Sequence, residues 1–159
     1  MAYLKELRQL LPQYGKENIV YFDESGFEET AFNPYARAPR GQKIFADKVG
    51  NNKKNRTNLI MAQRQKEWLA PTLFTGTCDH KVVEYWLEHC LFKELKKPSL
   101  IIADNAPFHR KTVLQNLAKA HDHQLLFLPP YSPDFNPIEH SFAVIKKRRF
   151  NTTLDAILS

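Results

Sequence analysis

Three short apolar segments constrain the fold of this chain more than any other feature. They are Asn18–Asp23, Ser99–Asp104 and Gln124–Leu128, and each is five or six residues long. Segments this short, rich in aliphatic and aromatic residues, are typical of strands buried on both faces. The second and third are separated by Val113–Ala118, where apolar residues recur at helical spacing. This order predicts neighbouring strands joined by a helix.

The remaining segments complete an α/β pattern. We predict a helix over residues 2–13, another over about residues 80–96, and a last helix that Asn136 caps and Pro137 begins. Gly26 is a turn signal, and further strands are predicted at Glu29–Phe32, Lys43–Val49, Thr57–Ala62 and Trp68–Phe74, the last two as a hairpin. The order predicts an α/β fold, a mixed β-sheet flanked by helices.

Length and cysteine usage exclude several classes of protein. The 159 residues fit one domain, contain no apolar run long enough to span a membrane, and begin without a secretory signal. Cys78 and Cys90 match no zinc motif, and we interpret them as reduced core thiols. We therefore expect a cytoplasmic protein with no membrane partner.

The basic charge is concentrated in two places. The chain has a net charge of +6, of which residues 37–66 carry +8 and residues 146–159 carry +3, so the rest is slightly acidic. Such patches indicate a nucleic-acid-binding protein, although a solvated surface is the alternative interpretation. The candidate phosphate contacts are Arg37, Arg40, Lys53, Lys54, Arg56, Lys146, Lys147, Arg148 and Arg149.

Three acidic residues are placed where sites form in α/β proteins. Asp23 and Asp104 each end a predicted strand, and Glu139 lies in the first turn of the last helix. Three carboxylates at one sheet edge suit Mg²⁺ or Mn²⁺, which prefer oxygen ligands. Without a cation, two carboxylates about 4 Å apart repel by roughly 4 kcal/mol at an effective dielectric near 20. The pattern therefore predicts a divalent-metal site.

Each acid taken singly also fits a structural role. Asp23 and Asp104 are suited to cap the helices or turns that follow them, and Glu139 is suited to a capping box with Asn136. Glu24 adjoins Asp23, but strand alternation directs it to the other face, so we leave it out of the metal site.

Three sequence blocks around these acids resemble the catalytic domain of DDE transposases of the mariner superfamily, in their bacterial insertion-sequence branch. The blocks are Val20–Phe27, Ile102–His109 and Leu128–Glu139, with a weaker fourth at Ala38–Gly41. Between Asp104 and Glu139 lie 34 residues, the spacing typical of that superfamily. The resemblance covers about residues 18–150.

The resemblance implies a ribonuclease-H-like fold that carries out phosphodiester hydrolysis and strand transfer at transposon ends. Asp23, Asp104 and Glu139 would be the catalytic residues and would hold Mg²⁺ or Mn²⁺, two ions in all, with Asn105 and His109 in support. It divides the chain into an N-terminal helical linker, residues 1–17, and a catalytic domain, residues 18–159. The substrate would be duplex DNA, both the transposon ends and the target. The resemblance further implies a homodimer as the synaptic form and a location at the nucleoid.

Relatives carry helix-turn-helix modules ahead of the catalytic domain, whereas this chain has 22 residues before Asp23. We expect either a separately encoded recognition domain or a truncated copy. The alternatives are a catalytically inactive or repurposed DNA-binding fragment of such a transposase, and a ribonuclease-H-type nuclease that acts on RNA–DNA hybrids. The aromatic residues Trp68, Trp86, Tyr131 and Phe135 are assigned to packing.

Overall fold

The computed structural model describes residues 2–28, 56–130 and 135–148. The predicted strands Glu29–Phe32 and Lys43–Val49 lie outside the described residues, as does Tyr131. Within the described residues, no helix is long and apolar enough to cross a membrane.

A five-stranded mixed sheet forms the centre of the fold. Its strands are β1 (Ile19–Glu28), β2 (Arg56–Arg64), β3 (Glu67–Phe74), β4 (Leu100–Ala103) and β5 (Gln124–Phe127). They lie in the order β3-β2-β1-β4-β5. β1, β4 and β5 are parallel, whereas β2 pairs antiparallel with both β1 and β3. The predicted mixed sheet, its three apolar strands and the hairpin are confirmed.

The turn predicted at Gly26 is wrong. β1 continues through this residue to Glu28, and Gly26 pairs with Asn58 of β2. The antiparallel ladder between β1 and β2 runs from Tyr21 to Glu28, so a partner strand holds the backbone extended where the local sequence favours a turn.

In the part of the chain that the structure describes, four helices cover the sheet. They are α1 (Ala2–Tyr14), α2, α3 (Lys111–Ala120) and α4 (Ile138–Arg148). α2 consists of an α-helical part, His80–Trp86, a π-helical turn, Leu87–Leu91, and a last α-helical turn, Phe92–Glu94. It therefore ends two residues before the predicted limit, because Leu95 adopts extended backbone angles.

Each face of the sheet has its own core. On one face, Val20 and Phe22 of β1 pack with residues of α2 and α3 such as Trp86 and Leu114. On the opposite face, Phe27, Leu59 and Met61 pack beneath α4, and Leu100, Ile102 and Leu126 pack beneath α1. α1, predicted as a linker, thus also covers part of the sheet.

An irregularity in β3 ties the hairpin to α2. Ala70 has a φ of 49°, a left-handed conformation that side chains other than glycine seldom adopt, and the β2–β3 register shifts beside it. Its N–H donates to Glu94 Oε1 at 3.1 Å, and its carbonyl accepts from Trp86 Nε1 at 2.8 Å. The bulged peptide groups are therefore satisfied by side chains of α2.

Both tryptophans pack as predicted, and both cysteines are free. Trp86 is 2 % exposed in the core, and Trp68 packs half-buried on the α4 side of the sheet. Cys78 and Cys90 are half-buried against the core beneath α2.

Candidate metal-binding active site

The parallel register of β1 and β4 places Asp23 beside Asp104. Phe22 pairs with Ala103, and Ala103 pairs with Phe127 of β5, so the next residue on each of the first two strands is an aspartate. Neighbouring strands lie about 4.8 Å apart, which brings the two carboxyl groups together at the carboxyl edge of the parallel strands. The structure thus brings together the two acids that the sequence places at strand ends.

Glu139 reaches this edge from α4. The cap predicted at Asn136 is confirmed, because its Oδ1 accepts from Ile138 N at 3.1 Å. Further along the helix, Ser141 Oγ accepts from Trp68 Nε1 at 3.0 Å, which ties α4 to β3. Glu139 lies in the first turn, and its carboxyl group is close enough to that of Asp23 to raise the pKa of Asp23.

Burial, together with the neighbouring acids, raises the pKa of both aspartates. The pKa of Asp23 rises to about 9, first because the group is buried and then because Asp104 and Glu139 are close. The N–H of Glu24 donates to Asp23 Oδ1 at 2.7 Å and opposes this rise. Burial also raises the pKa of Asp104, with Glu139 adding to the effect and His109 opposing it.

Neither aspartate caps a helix. Asp23 lies within β1, and α3 begins at Lys111 with Arg110 at its N-cap, well beyond Asp104. The carboxyl group of Glu139 lies close enough to Asp23 to raise its pKa. The role of Asp23 and Asp104 as helix caps is therefore wrong, whereas the capping of a following turn stays a prediction.

The donor set fits a hard divalent cation. In residues 2–28, 56–130 and 135–148 no three His, Cys, Asp or Glu side chains already stand at metal-ligand spacing. Burial and the nearby Asp104 and Glu139 raise the pKa of Asp23, so its carboxyl group holds a proton more tightly than an isolated acid does. A cation bound by oxygen ligands would replace such a proton and relieve the repulsion among the carboxylates.

His109 approaches Asp104 from the core. Its side chain is 3 % exposed, and its Nδ1 lies 3.8 Å from Asp104 Oδ1. The ring lies among Phe22, Phe108 and Phe127, with centroid distances of 6.3, 4.7 and 5.9 Å. Within the described residues Nδ1 has no hydrogen-bond partner, and burial lowers the pKa of the imidazole while Asp104 opposes that shift.

A pocket of about 210 Å³ opens beside the two aspartates. Glu24 borders it from the opposite side of β1, as alternation predicts, together with Cys78 and Phe108. Burial and the surrounding acids, Glu24 foremost, raise the pKa of the Cys78 thiol to about 12, so this cysteine is a poor nucleophile at neutral pH. Asn105 follows Asp104 in the loop and is half-buried.

The predicted DNA contacts are described only in part. Lys146, Lys147 and Arg148 are exposed in the last turn of α4, and the Nζ of Lys146 lies 5.3 Å from the centre of the Phe27 ring. β2 begins at Arg56. Arg37, Arg40, Lys53, Lys54 and Arg149 lie outside the described residues.

Sequence reasoning missed the contacts that hold the loop after β4. Arg110 donates to both carboxylate oxygens of Glu84, at 2.9 and 2.6 Å, and so ties the start of α3 to α2. The Nζ of Lys111 lies 5.6 Å from the Phe127 ring centre. A Glu and an Arg 26 residues apart carry no local signal that they pair.

The strand order, together with the acidic residues that β1, β4 and α4 bring to one edge of the sheet, defines a nuclease-like class of α/β protein. Comparison with known proteins identifies the family. The family model for DDE superfamily endonucleases matches residues 18–157, and the chain belongs to this family. No curated protein matches the sequence.

Solved structures of Mos1 mariner transposase share the fold. The catalytic domain superimposes with a TM-score of 0.63 and 17 % identity, covering 94 % of this chain and 68 % of that one. For the strand transfer complex the TM-score is 0.64 and the identity 20 %, and the match covers 92 % of this chain and 45 % of that one. For a paired-end complex with Mn the TM-score is 0.65 and the identity 18 %, and the match covers 96 % of this chain and 49 % of that one. The fold is therefore ribonuclease-H-like, and the chain spans about half the length of the transposase in those complexes.

The raised pKa of Asp23 predicts that stability depends on pH when divalent cations are removed. A folded-state pKa above the unfolded value stabilises the fold at pH below about 4, and this contribution is lost as pH rises through about 9. In EDTA at pH 8, Asp23→Asn should therefore raise the free energy of unfolding by at least about 1.4 kcal/mol, the equivalent of one pKa unit.

Urea unfolding between pH 4 and 9 measures this effect. The matched control is Asp122→Asn, which removes a carboxylate from an exposed position with a φ of 67° that asparagine tolerates. Equal pH profiles for Asp23→Asn and the unchanged chain would contradict the prediction.

Proposed function

We propose that this chain is the catalytic domain of a metal-dependent DNA transposase, which hydrolyses phosphodiester bonds at transposon ends and transfers the freed strand. The observation that carries the proposal is the convergence of Asp23, Asp104 and Glu139 at one sheet edge in a chain of the DDE endonuclease family. The transposase class follows from the mariner likeness, and the bacterial insertion-sequence branch and a nucleoid location are further parts of the proposal.

The proposed scheme has two ions, Mg²⁺ or Mn²⁺. They would be held by the carboxylate oxygens of Asp23, Asp104 and Glu139. When bound, the ions supply Lewis-acid stabilisation of the charge that develops on the transferring phosphate. In the first reaction, water oxygen bonds to phosphorus while the phosphorus–O3′ bond breaks, leaving a 3′-hydroxyl. In strand transfer the oxygen of that hydroxyl bonds to a target phosphorus while the phosphorus–O3′ bond of the target breaks, so one phosphodiester replaces another and the target O3′ leaves as a hydroxyl that takes up the proton. The chain's own contribution is to hold the carboxylates on three rigid elements.

His109 is proposed to orient Asp104. Its buried Nδ1 faces Asp104 Oδ1 at 3.8 Å with no other partner in the described residues. A small movement of the carboxylate closes a hydrogen bond, which would fix one oxygen and direct the other towards a cation. Asn105 is proposed as a further support because it follows Asp104 in the same loop.

DNA binding is proposed to rest on the basic segments, because the site itself is acidic and repels phosphates. α4 carries Glu139 in its first turn and the cluster Lys146–Arg148 in its last, about two turns further along, so DNA held by the cluster would lie near the acids. The solved Mos1 structures include a paired-end complex with the left transposon end. By analogy, a homodimer and a separately encoded helix-turn-helix domain are proposed partners.

Cleavage of supercoiled plasmid DNA in Mn²⁺ tests the catalytic proposal. Asp104→Asn should reduce the rate at least about a hundredfold, because it removes a charged ligand, and should leave the fold intact in EDTA. Asp122→Asn, the exposed control, should cleave normally. Metal-independent DNA binding without cleavage would favour the inactive-fragment alternative, and preference for an RNA–DNA hybrid would favour the ribonuclease alternative.

His109→Phe separates an orienting role from a packing role. Phenylalanine matches the aromatic surroundings of His109 but lacks Nδ1, so a packing role predicts normal cleavage. We expect instead a loss of cleavage rate of about tenfold to a hundredfold, with unchanged DNA affinity and thermal stability. Normal cleavage by this variant would remove His109 from the site.

The salt dependence of duplex binding tests the basic surface. Replacing Lys146, Lys147 and Arg148 by Gln should reduce the slope of log K against log salt by about 2 to 3. The control replaces Lys93, Lys96 and Lys97, which are equally charged but lie at the amino-terminal side of β4, away from the acids. Replacing Lys53, Lys54 and Arg56 tests the second segment in the same way. An unchanged slope excludes the segment concerned from the DNA surface.

A further inference from the structure

Helix α1 lies outside the residues that the family model matches, 18–157, and it packs on the sheet through the cluster of Leu100, Ile102 and Leu126. Its buried residue is Tyr3, which is 6 % exposed and packs with Leu100, Ile102 and Leu128 on the sheet. α1 and α4 therefore cover the same face of the sheet, the face on which Asp23 meets Glu139.

Tyr3 contacts the segment that leads into α4. Its ring stacks on Phe135, with centroids 5.7 Å apart and an interplanar angle of 24°. Phe135 directly precedes Asn136, the residue that caps α4, and Glu139 follows one turn later. Phe135 is 36 % exposed, so the Tyr3 ring provides a packing surface for a residue that is otherwise open to solvent.

Tyr3 also borders the strand that carries Asp23. Tyr21 packs in the same cluster as Tyr3, and it lies two residues before Asp23 on the same face of β1. Burial, and after it the nearby phenol of Tyr21, raises the pKa of Tyr3 to about 12. Tyr3 thus stacks on the residue before the α4 cap and belongs to the cluster on which Tyr21 packs.

We propose that Tyr3 is a positioning residue that fixes the start of α4, and with it Glu139, relative to Asp23. The inference rests on the proposed function, because the position of Glu139 relative to Asp23 affects a reaction rate only if the two residues belong to an active site. The direction of α4 is set by the path of the chain at its cap, and the Tyr3–Phe135 stack holds the chain at that point. Displacing a catalytic group by about 1 Å can reduce a rate a hundredfold.

The experiment compares Tyr3→Ala with Tyr3→Phe and Leu7→Ala in the full chain. Tyr3→Phe keeps the stacked ring and loses the hydroxyl. Leu7→Ala removes an apolar side chain from the next turn of α1, which packs on the same cluster. Hydrogen exchange of the backbone amides of residues 138–142, followed by mass spectrometry, reports whether the start of α4 is held.

We expect Tyr3→Ala to raise this exchange about tenfold and the two comparison variants to leave it within about twofold of the unchanged chain. In plasmid cleavage with Mn²⁺, Tyr3→Ala should lower kcat by about tenfold or more with KM for DNA unchanged, and Tyr3→Phe should restore it. A purely structural role would instead give Leu7→Ala and Tyr3→Ala the same losses.

Equal exchange in Tyr3→Ala and Leu7→Ala would overturn the inference, as would faster exchange with an unchanged kcat. A chain that does not cleave DNA before any substitution would overturn the proposed function instead. The exchange measurement would still decide whether Tyr3 holds the start of α4.

Discussion

The parallel register between β1 and β4 is the constraint on which the candidate site depends. Because Phe22 pairs with Ala103, the residues that follow are aspartates on adjacent strands. Hydrogen bonds of a buried ladder fix this register, and a slip by one residue would move every side chain of β1 to the opposite face of the sheet. The same bonds that stabilise the sheet therefore hold Asp23 and Asp104 together, and burial followed by this proximity raises the pKa of Asp23.

The third acid depends on contacts that are distant in sequence. α4 is fixed at its start by the Asn136 cap and along its length by the hydrogen bond between Trp68 and Ser141, two residues 73 positions apart. Ser141 also bonds to Gln63 of β2. Because these contacts come from the hairpin, the antiparallel half of the sheet takes part in placing Glu139, although the acids lie beside the parallel half.

The local sequence predicts those parts of the fold whose causes are local. The apolar strands, the hairpin and the Asn136 cap each follow from a run of side chains or one side chain and its neighbours, and the alternation that separates Glu24 from Asp23 follows from strand geometry. The extension of β1 through Gly26, the left-handed Ala70 and the Tyr3–Phe135 stack depend instead on partners far along the chain. The approach of His109 to Asp104 could be predicted only in part. The sequence places both residues in one loop, but it cannot show that Nδ1 of His109 is buried without a partner in the described residues.

The acids at the sheet edge destabilise the fold, and this loss of stability helps to distinguish a catalytic domain from a domain that only binds DNA. A chain that only bound DNA would need its basic segments, but carboxyl groups held together at one sheet edge destabilise the fold, and those that are ionised repel the phosphates. Asp23 is neutral only because its pKa is raised, and His109 holds a buried nitrogen without a partner in the described residues. Such departures from local stability are expected where a site is built to receive a ligand. A divalent cation accounts for both, because it would neutralise the acids and draw Asp104 into the orientation that His109 is placed to support.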